Sequence, residues 1–197
     1  SHRLAPLIDK LALPTLVIND LDSAEPTGYH EKAEPVRNKG LISGNYAITN
    51  WIIKKNLLDD LLDLSDDEKV VTKKSVCDYQ IRVAYQIPIK VTHLDVETEA
   101  LARTFEDSLI YTNWDVLSSL KATDPGQLLK KLKDGFDAKK SFDSLKTTIF
   151  NELKKSEVKA EFALDLIFSI APEEIAVPQY INKGLTWLEN VLCTEVN

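Results

Sequence analysis

Residues 15–23 read TLVINDLDS: the run Thr15-Leu16-Val17-Ile18, then the acidic step Asn19-Asp20-Leu21-Asp22-Ser23. An unbroken apolar and β-branched run, preceded by Pro14, suits a strand buried in a sheet. Side chains alternate along an extended chain, so Asp20 and Asp22 are expected to project to one side just past the strand's carboxyl end. Ligands of open α/β sheets bind at that end. Two carboxylates there suit a hard cation held by oxygen, although the same spacing also occurs among plain loop carboxylates.

Working outward, residues 4–11 are expected as a short helix ended by Pro14. Residues 24–40 carry Pro26, Gly28, Pro35 and Gly40 with many charges and read as a long loop beside the strand end. Asn45 is expected to cap a helix running through Trp51 to about Lys54, followed by a second short helix at 57–64. YQIRVAYQIPIKV, residues 79–91, alternates Ile81, Val83, Tyr85 and Ile87 and predicts a second strand, with Pro88 marking an edge or an end. Helices are expected beyond Glu97, at 97–112, 114–121, 126–135, 139–155, 158–170 and 178–193. The pattern is α/β with a helical C-terminal half.

Composition narrows the chemistry. With 44% hydrophobic and 28% charged residues, a chain of 197 can bury a substantial core, which argues against disorder. No apolar run approaches the roughly twenty residues of a membrane span, and SHRLAP lacks a signal-peptide pattern, so a cytoplasmic protein is expected. Cys77 and Cys193 lack CxxC spacing, and His2, His30 and His93 are scattered, so neither thiolate nor imidazole metal sites are supported. A formal charge of −7 argues against DNA binding by bulk attraction. It leaves room for a carboxylate site that loads magnesium or manganese. The lysine pairs at 73–74, 130–131, 139–140 and 154–155 read first as solvated faces. The absence of methionine suggests that position 1 is a cut.

Two further patterns carry charge. In ALARTFEDSLIYT, residues 100–112, Leu101, Phe105 and Leu109 mark a packing face, while Arg103, Glu106 and Asp107 share another. The plain reading is an exposed Arg103–Asp107 ion pair worth about 0.3–0.5 kcal/mol. In EVKAEFALDLIF, Lys159 shares a helix face with Phe162, Ala163 and Leu166. An ammonium rising from that stripe is placed to neutralise a phosphate, and the plain reading is that it snorkels to solvent.

Taken in order, TLVINDLDS, GLISGNYAITNW (40–51), IRVAYQIP (81–88), ARTFEDSLIYTN (102–113), KAEFALDLIF (159–168) and VPQYINKGLTWLENVL (177–192) resemble segments of the Toprim nuclease domain of the OLD (overcoming lysogenization defect) family of ATP-dependent endonucleases. The likeness spans nearly the whole chain. It implies a Toprim-like core, a partly parallel sheet flanked by helices, over residues 1–113. A helical addition over 114–197 would pack on that core and supply Lys159. It further implies a phage-defence endonuclease that cuts or nicks DNA with two Mg2+ or Mn2+ ions, with Ca2+ as another bound ion. Under the resemblance Asp20, Asp22, Ser23, Glu106 and Asp107 are metal-site residues, and Lys159 and Arg103 are catalytic cations. In such a mechanism one ion activates the attacking water and the other stabilises the departing oxyanion. The implied partners are DNA, an N-terminal ATPase domain and a second copy of the chain.

The chain also departs from the family's pattern. Toprim domains usually carry a glutamate on a strand upstream of the DxD step, whereas here the first glutamate is Glu25 and only Asp9 is acidic before Asp20. That strand is expected to lie outside this chain, as is the ATPase domain, since no GxxxxGK[ST] phosphate loop occurs. The family's Thr-Ser-Asn is Ser43-Gly44-Asn45 here, and Asn19 stands where threonine is common. Two rival readings are a catalytically silent DNA- or protein-interaction module of degenerate Toprim fold, and a haloacid-dehalogenase-like phosphatase with Asp20 as nucleophile and Asp22 as general acid.

Overall fold

In the computed structural model, which describes residues 2–74, 78–121 and 124–194, the apolar run is strand β1 (Thr15–Ile18). It pairs in parallel with β5 (Tyr79–Ala84), from Thr15 opposite Ile81 to Ile18 opposite Ala84. β5 pairs antiparallel with β4 (Val70–Lys73), giving the order β1-β5-β4. The result is a small mixed sheet flanked by helices. β5 is the middle strand, which is why its residues are buried on both faces and why even Arg82 is enclosed. β4 escapes a reading of the sequence because its four residues are flanked by charges and leave no usable periodicity.

Helix α8 (Gln179–Thr194) packs against β1 and β5. Gly184 is the reason it can approach so closely: a Cβ there would lie 2.9 Å from Leu16 Cδ1 and 3.2 Å from Ala84 Cβ. A mid-helix glycine costs about 1 kcal/mol relative to alanine, so its presence has a packing cause. Residues expected as the helix after Asn45 form a π-helical segment (Ala47–Ile52) that buries Ala47, Ile48 and Ile52 and touches β5. α2 (Leu58–Leu62) buries three leucines, and Tyr85 donates its hydroxyl to Leu61 O at 2.6 Å. α1 (Ala5–Leu11) buries none of its residues. Its Asp9 accepts a hydrogen bond from the Tyr79 hydroxyl, whose pKa burial and Asp9 together push up to about 12.

These elements, with the two-residue strands β2 (Ser23–Ala24) and β3 (Ile42–Ser43), form one compact unit, Ser1–Ile87 with Gln179–Asn197. Pro88–Pro178 form a second. There β6 (Ile89–His93) and β7 (Val96–Ala100) make a hairpin, followed by α3 (Phe105–Thr112), α4 (Trp114–Ser119), α5 (Gln127–Asp137), α6 (Phe142–Leu153) and α7 (Ser156–Ser169). Trp114 lies at the centre of its core, edge-on to Phe136 and Phe142 with ring centroids 5.1 Å away in each case.

Three expectations need correction. The strand expected at 79–91 is two strands in different units, interrupted at Pro88, which has no N–H to give a ladder. The helix expected at 97–112 begins only at Phe105, because Val96–Ala100 is the return strand of the hairpin. Its two-residue turn is Leu94-Asp95, with φ of 49° and 62°. Such a turn usually announces itself with asparagine or glycine, and leucine hides it. The expected division after Asn113 falls inside the second unit, where buried Asn113 donates to Ala176 O (2.9 Å) and accepts from Ala176 N (2.7 Å). The Cys77 position lies outside the described residues.

Candidate functional site

The strand ends at Ile18, and the ladder takes one more step when Asn19 N donates to Ala84 O at 2.9 Å. Beyond it the chain leaves the extended state: Asp22 has φ 51°, in the left-handed region. The simple alternation expected to align Asp20 with Asp22 therefore does not apply. What fixes the acidic step is a set of hydrogen bonds from the segment Ser43-Gly44-Asn45. Asn45 Nδ2 donates to Asp20 O (2.9 Å), Ser43 Oγ to Leu21 O (2.6 Å) and Gly44 N to Asp22 O (2.8 Å). Three successive carbonyls are thus held by three successive residues. Gly44 suits this close approach, since a Cβ there would sit 3.2 Å from Asp22 O. Asn45 also accepts from Ala47 N at 3.0 Å, tying the acidic step to the start of the π-helical segment.

Gln86 holds the other side. It is wholly buried; its Oε1 accepts from Leu21 N at 2.6 Å, and its Nε2 donates to Asp20 Oδ1 at 2.9 Å and to the Tyr180 hydroxyl at 3.2 Å. Reading the sequence missed this residue, and its only signal is a glutamine set between Tyr85 and Ile87 just past the end of β5. Ser23, a metal-site candidate, is buried with its hydroxyl donated to Ala33 O at 2.6 Å, so its visible work is to pin the loop that follows. Beside Ser43 and Gly44 lies a cleft of about 510 Å³ whose rim includes His30, Tyr46, Asn50 and Lys54 and no aspartate or glutamate.

Arg103, Glu106, Asp107 and Lys159 belong to the second unit. Lys159 does not end in solvent: its Nζ lies 2.7 Å from Glu106 Oε2 and 3.4 Å from Thr104 Oγ1. Burial raises the Glu106 pKa, but hydrogen bonds from Lys159 and Thr104 outweigh it, and the carboxyl is held below its ordinary value. Asp107 is buried rather than exposed and accepts from Thr104 N and Arg103 N, each at 2.7 Å. It is the third residue of α3 reaching back over the helix start, the acidic half of a capping box.

The residues singled out by sequence therefore divide into two groups, Asp20, Asp22 and Ser23 in one unit and the other four in the second. Among the described residues no three His, Cys, Asp or Glu side chains converge as a metal-binding group. The donors of the acidic step nevertheless fit a magnesium-like ion, which is commonly held by one or two carboxylates while water and substrate phosphate complete the shell.

The fold and site define a mixed α/β protein with a braced acidic loop at the carboxyl end of a parallel strand. Compared with known proteins, the chain matches no family model, no curated protein and no solved structure. Among the described residues no helix is long and apolar enough to cross a membrane.

Proposed function

We propose that the chain is a metal-dependent DNA endonuclease of the Toprim type, with the Asp20-Leu21-Asp22 step as its cation-binding element. The observation that carries this reading is the bracing of three consecutive carbonyls by Ser43, Gly44 and Asn45, with Gln86 holding Leu21 N and Asp20 Oδ1. That much scaffolding fixes the backbone that carries the two carboxylates, as a preorganised site requires. The step follows the carboxyl end of β1, where open sheets bind ligands, and two of its braces, Ser43 and Gly44, also line a cleft of about 510 Å³. Bound Mg2+ or Mn2+ would supply Lewis-acid stabilisation of a phosphodiester under attack. The chain's own part is to fix the backbone of the Asp20-Leu21-Asp22 step and, through Gln86, one carboxylate oxygen of Asp20.

The roles of Glu106, Arg103 and Lys159 belong to the same proposal by way of the resemblance, whereas Asp107, which accepts from Arg103 N and Thr104 N at the start of α3, is taken as a brace and not as a ligand. So do the ATPase domain and a second copy as partners. A plasmid-nicking assay with Mg2+ or Mn2+ tests it. Asp20→Asn is expected to lower nicking at least about 100-fold, on the scale of losing a group that acts in the transition state, and Glu106→Gln to lower it as well. Nicking that persists undiminished in both variants removes the assigned site.

A further inference from the structure

A cluster of buried charges lies in the first unit away from the acidic step. Lys69 and Arg82 are each only 6% exposed, and together with Lys183 they surround a single carboxylate, Asp66. Arg82 Nη2 lies 2.8 Å from Asp66 Oδ1, and Lys183 Nζ lies 2.9 Å from Asp66 Oδ2. One aspartate thus faces three cations, an excess of two positive charges in a chain whose formal charge is −7. Two donors are left over. Arg82 Nε is buried without a hydrogen-bond partner. Lys69 carries its ammonium 5.0 Å above the centre of the Tyr85 ring. Burial lowers the Lys69 pKa, and the charges of Lys183 and Arg82 add to that effect, against the opposing pull of Asp66. Burying cations this way is costly unless an anion completes the set.

The cluster lines a small recess with Tyr180 and the end of β5, and the recess has room for about one water-sized atom, roughly 10 Å³. That is the size of one oxygen, not of a whole phosphate. Tyr180 connects the recess to the acidic step, because its hydroxyl accepts from Gln86, which also donates to Asp20.

We propose that Lys69, Arg82 and Lys183 form an oxyanion seat that takes one non-bridging phosphate oxygen of a nucleic-acid backbone. The ligand's identity rests on the phosphodiester reading of the neighbouring loop, whereas the seat itself rests on the uncompensated cations. It contacts phosphate and no base, so it contributes affinity and register without sequence preference.

The test is a fluorescence-anisotropy titration of a short labelled duplex with the protein in EDTA, at salt concentrations from about 50 to 200 mM. Each phosphate contact contributes about 0.9 to the slope of log K against log salt. Lys69→Gln and Lys183→Gln are each expected to flatten that slope by about 1, Lys69→Arg to restore it, and inorganic phosphate to compete with the duplex. A purely structural role for the cluster would change stability without changing the slope. Unchanged slopes in both glutamine variants, or no duplex binding by the wild type, would overturn the seat. Because EDTA removes the cation, a chain that fails to nick DNA still reports on the seat, which separates its failure from that of the nuclease reading.

Discussion

The two acidic pairs of this chain stand in opposite relations to the backbone around them. In the first unit Asp20 and Asp22 sit on a step whose backbone is held by the side chains of Gln86, Ser43 and Asn45. In the second, the Asp107 carboxylate is itself the brace, taking the backbone N–H groups of Arg103 and Thr104, while Glu106 is matched to Lys159. One pair is supported by the scaffold and the other is part of it. Counting carboxylates therefore ranks the pairs equally, and asking what holds the backbone beside them separates them.

The comparison breaks first at Gln86. Gln86→Leu keeps the volume of a buried side chain but leaves Leu21 N–H unsatisfied and removes the donor to Asp20. Manganese affinity is expected to fall about 10–100-fold, the usual cost of losing a group that orients a ligand. Urea unfolding should show a stability loss of about 1–3 kcal/mol. Unchanged manganese affinity would mean that the scaffold around the acidic step is irrelevant to it.

Asp107→Ala probes the other pair. It is expected to cost about 1–2 kcal/mol in urea unfolding, the scale of losing a helix cap, and to leave manganese binding at the acidic step unchanged. Loss of that binding would move Asp107 from brace to ligand.

The smallest effect concerns Glu106. Its folded-state pKa lies below the ordinary carboxylate value, so the unfolded chain takes up the proton first on acidification. Its stabilising contribution is full above about pH 4.3, the ordinary glutamate value, and is lost as the pH falls through the lower folded value. Glu106→Gln should flatten the acid limb of the stability profile by about 1 kcal/mol or less, since the pair with Lys159 is partly solvated. A variant whose acid limb matches the wild type would show that Lys159 contributes nothing through this contact.

The legible parts of the fold were those with one strong local cause. β1 shows as an apolar run after proline, the later helices show as periodic stripes, and the ends of α5 through α8 fall within a few residues of expectation. The hairpin at residues 89–100 reads partly as helix in the sequence because Leu94-Asp95 adopts a turn that its residue types do not advertise. At the site, the DxD step and Ser43-Gly44-Asn45 stood out as separate segments. That the second clamps the first, one residue to one carbonyl, is a long-range fact that spacing does not encode. Gln86 and the Asp66 cluster were invisible for the same reason, since each joins residues from distant parts of the chain.

The most direct test of the central claim is a calorimetric titration of manganese into the wild-type chain and into Asp20→Asn and Asp22→Asn. The expected result is saturable binding by the wild type that either substitution weakens at least about tenfold, the scale on which metal sites respond to loss of a supporting or ligating group. A wild type that binds no manganese, or variants that bind it as tightly as the wild type, would contradict the assignment of this loop as a cation site.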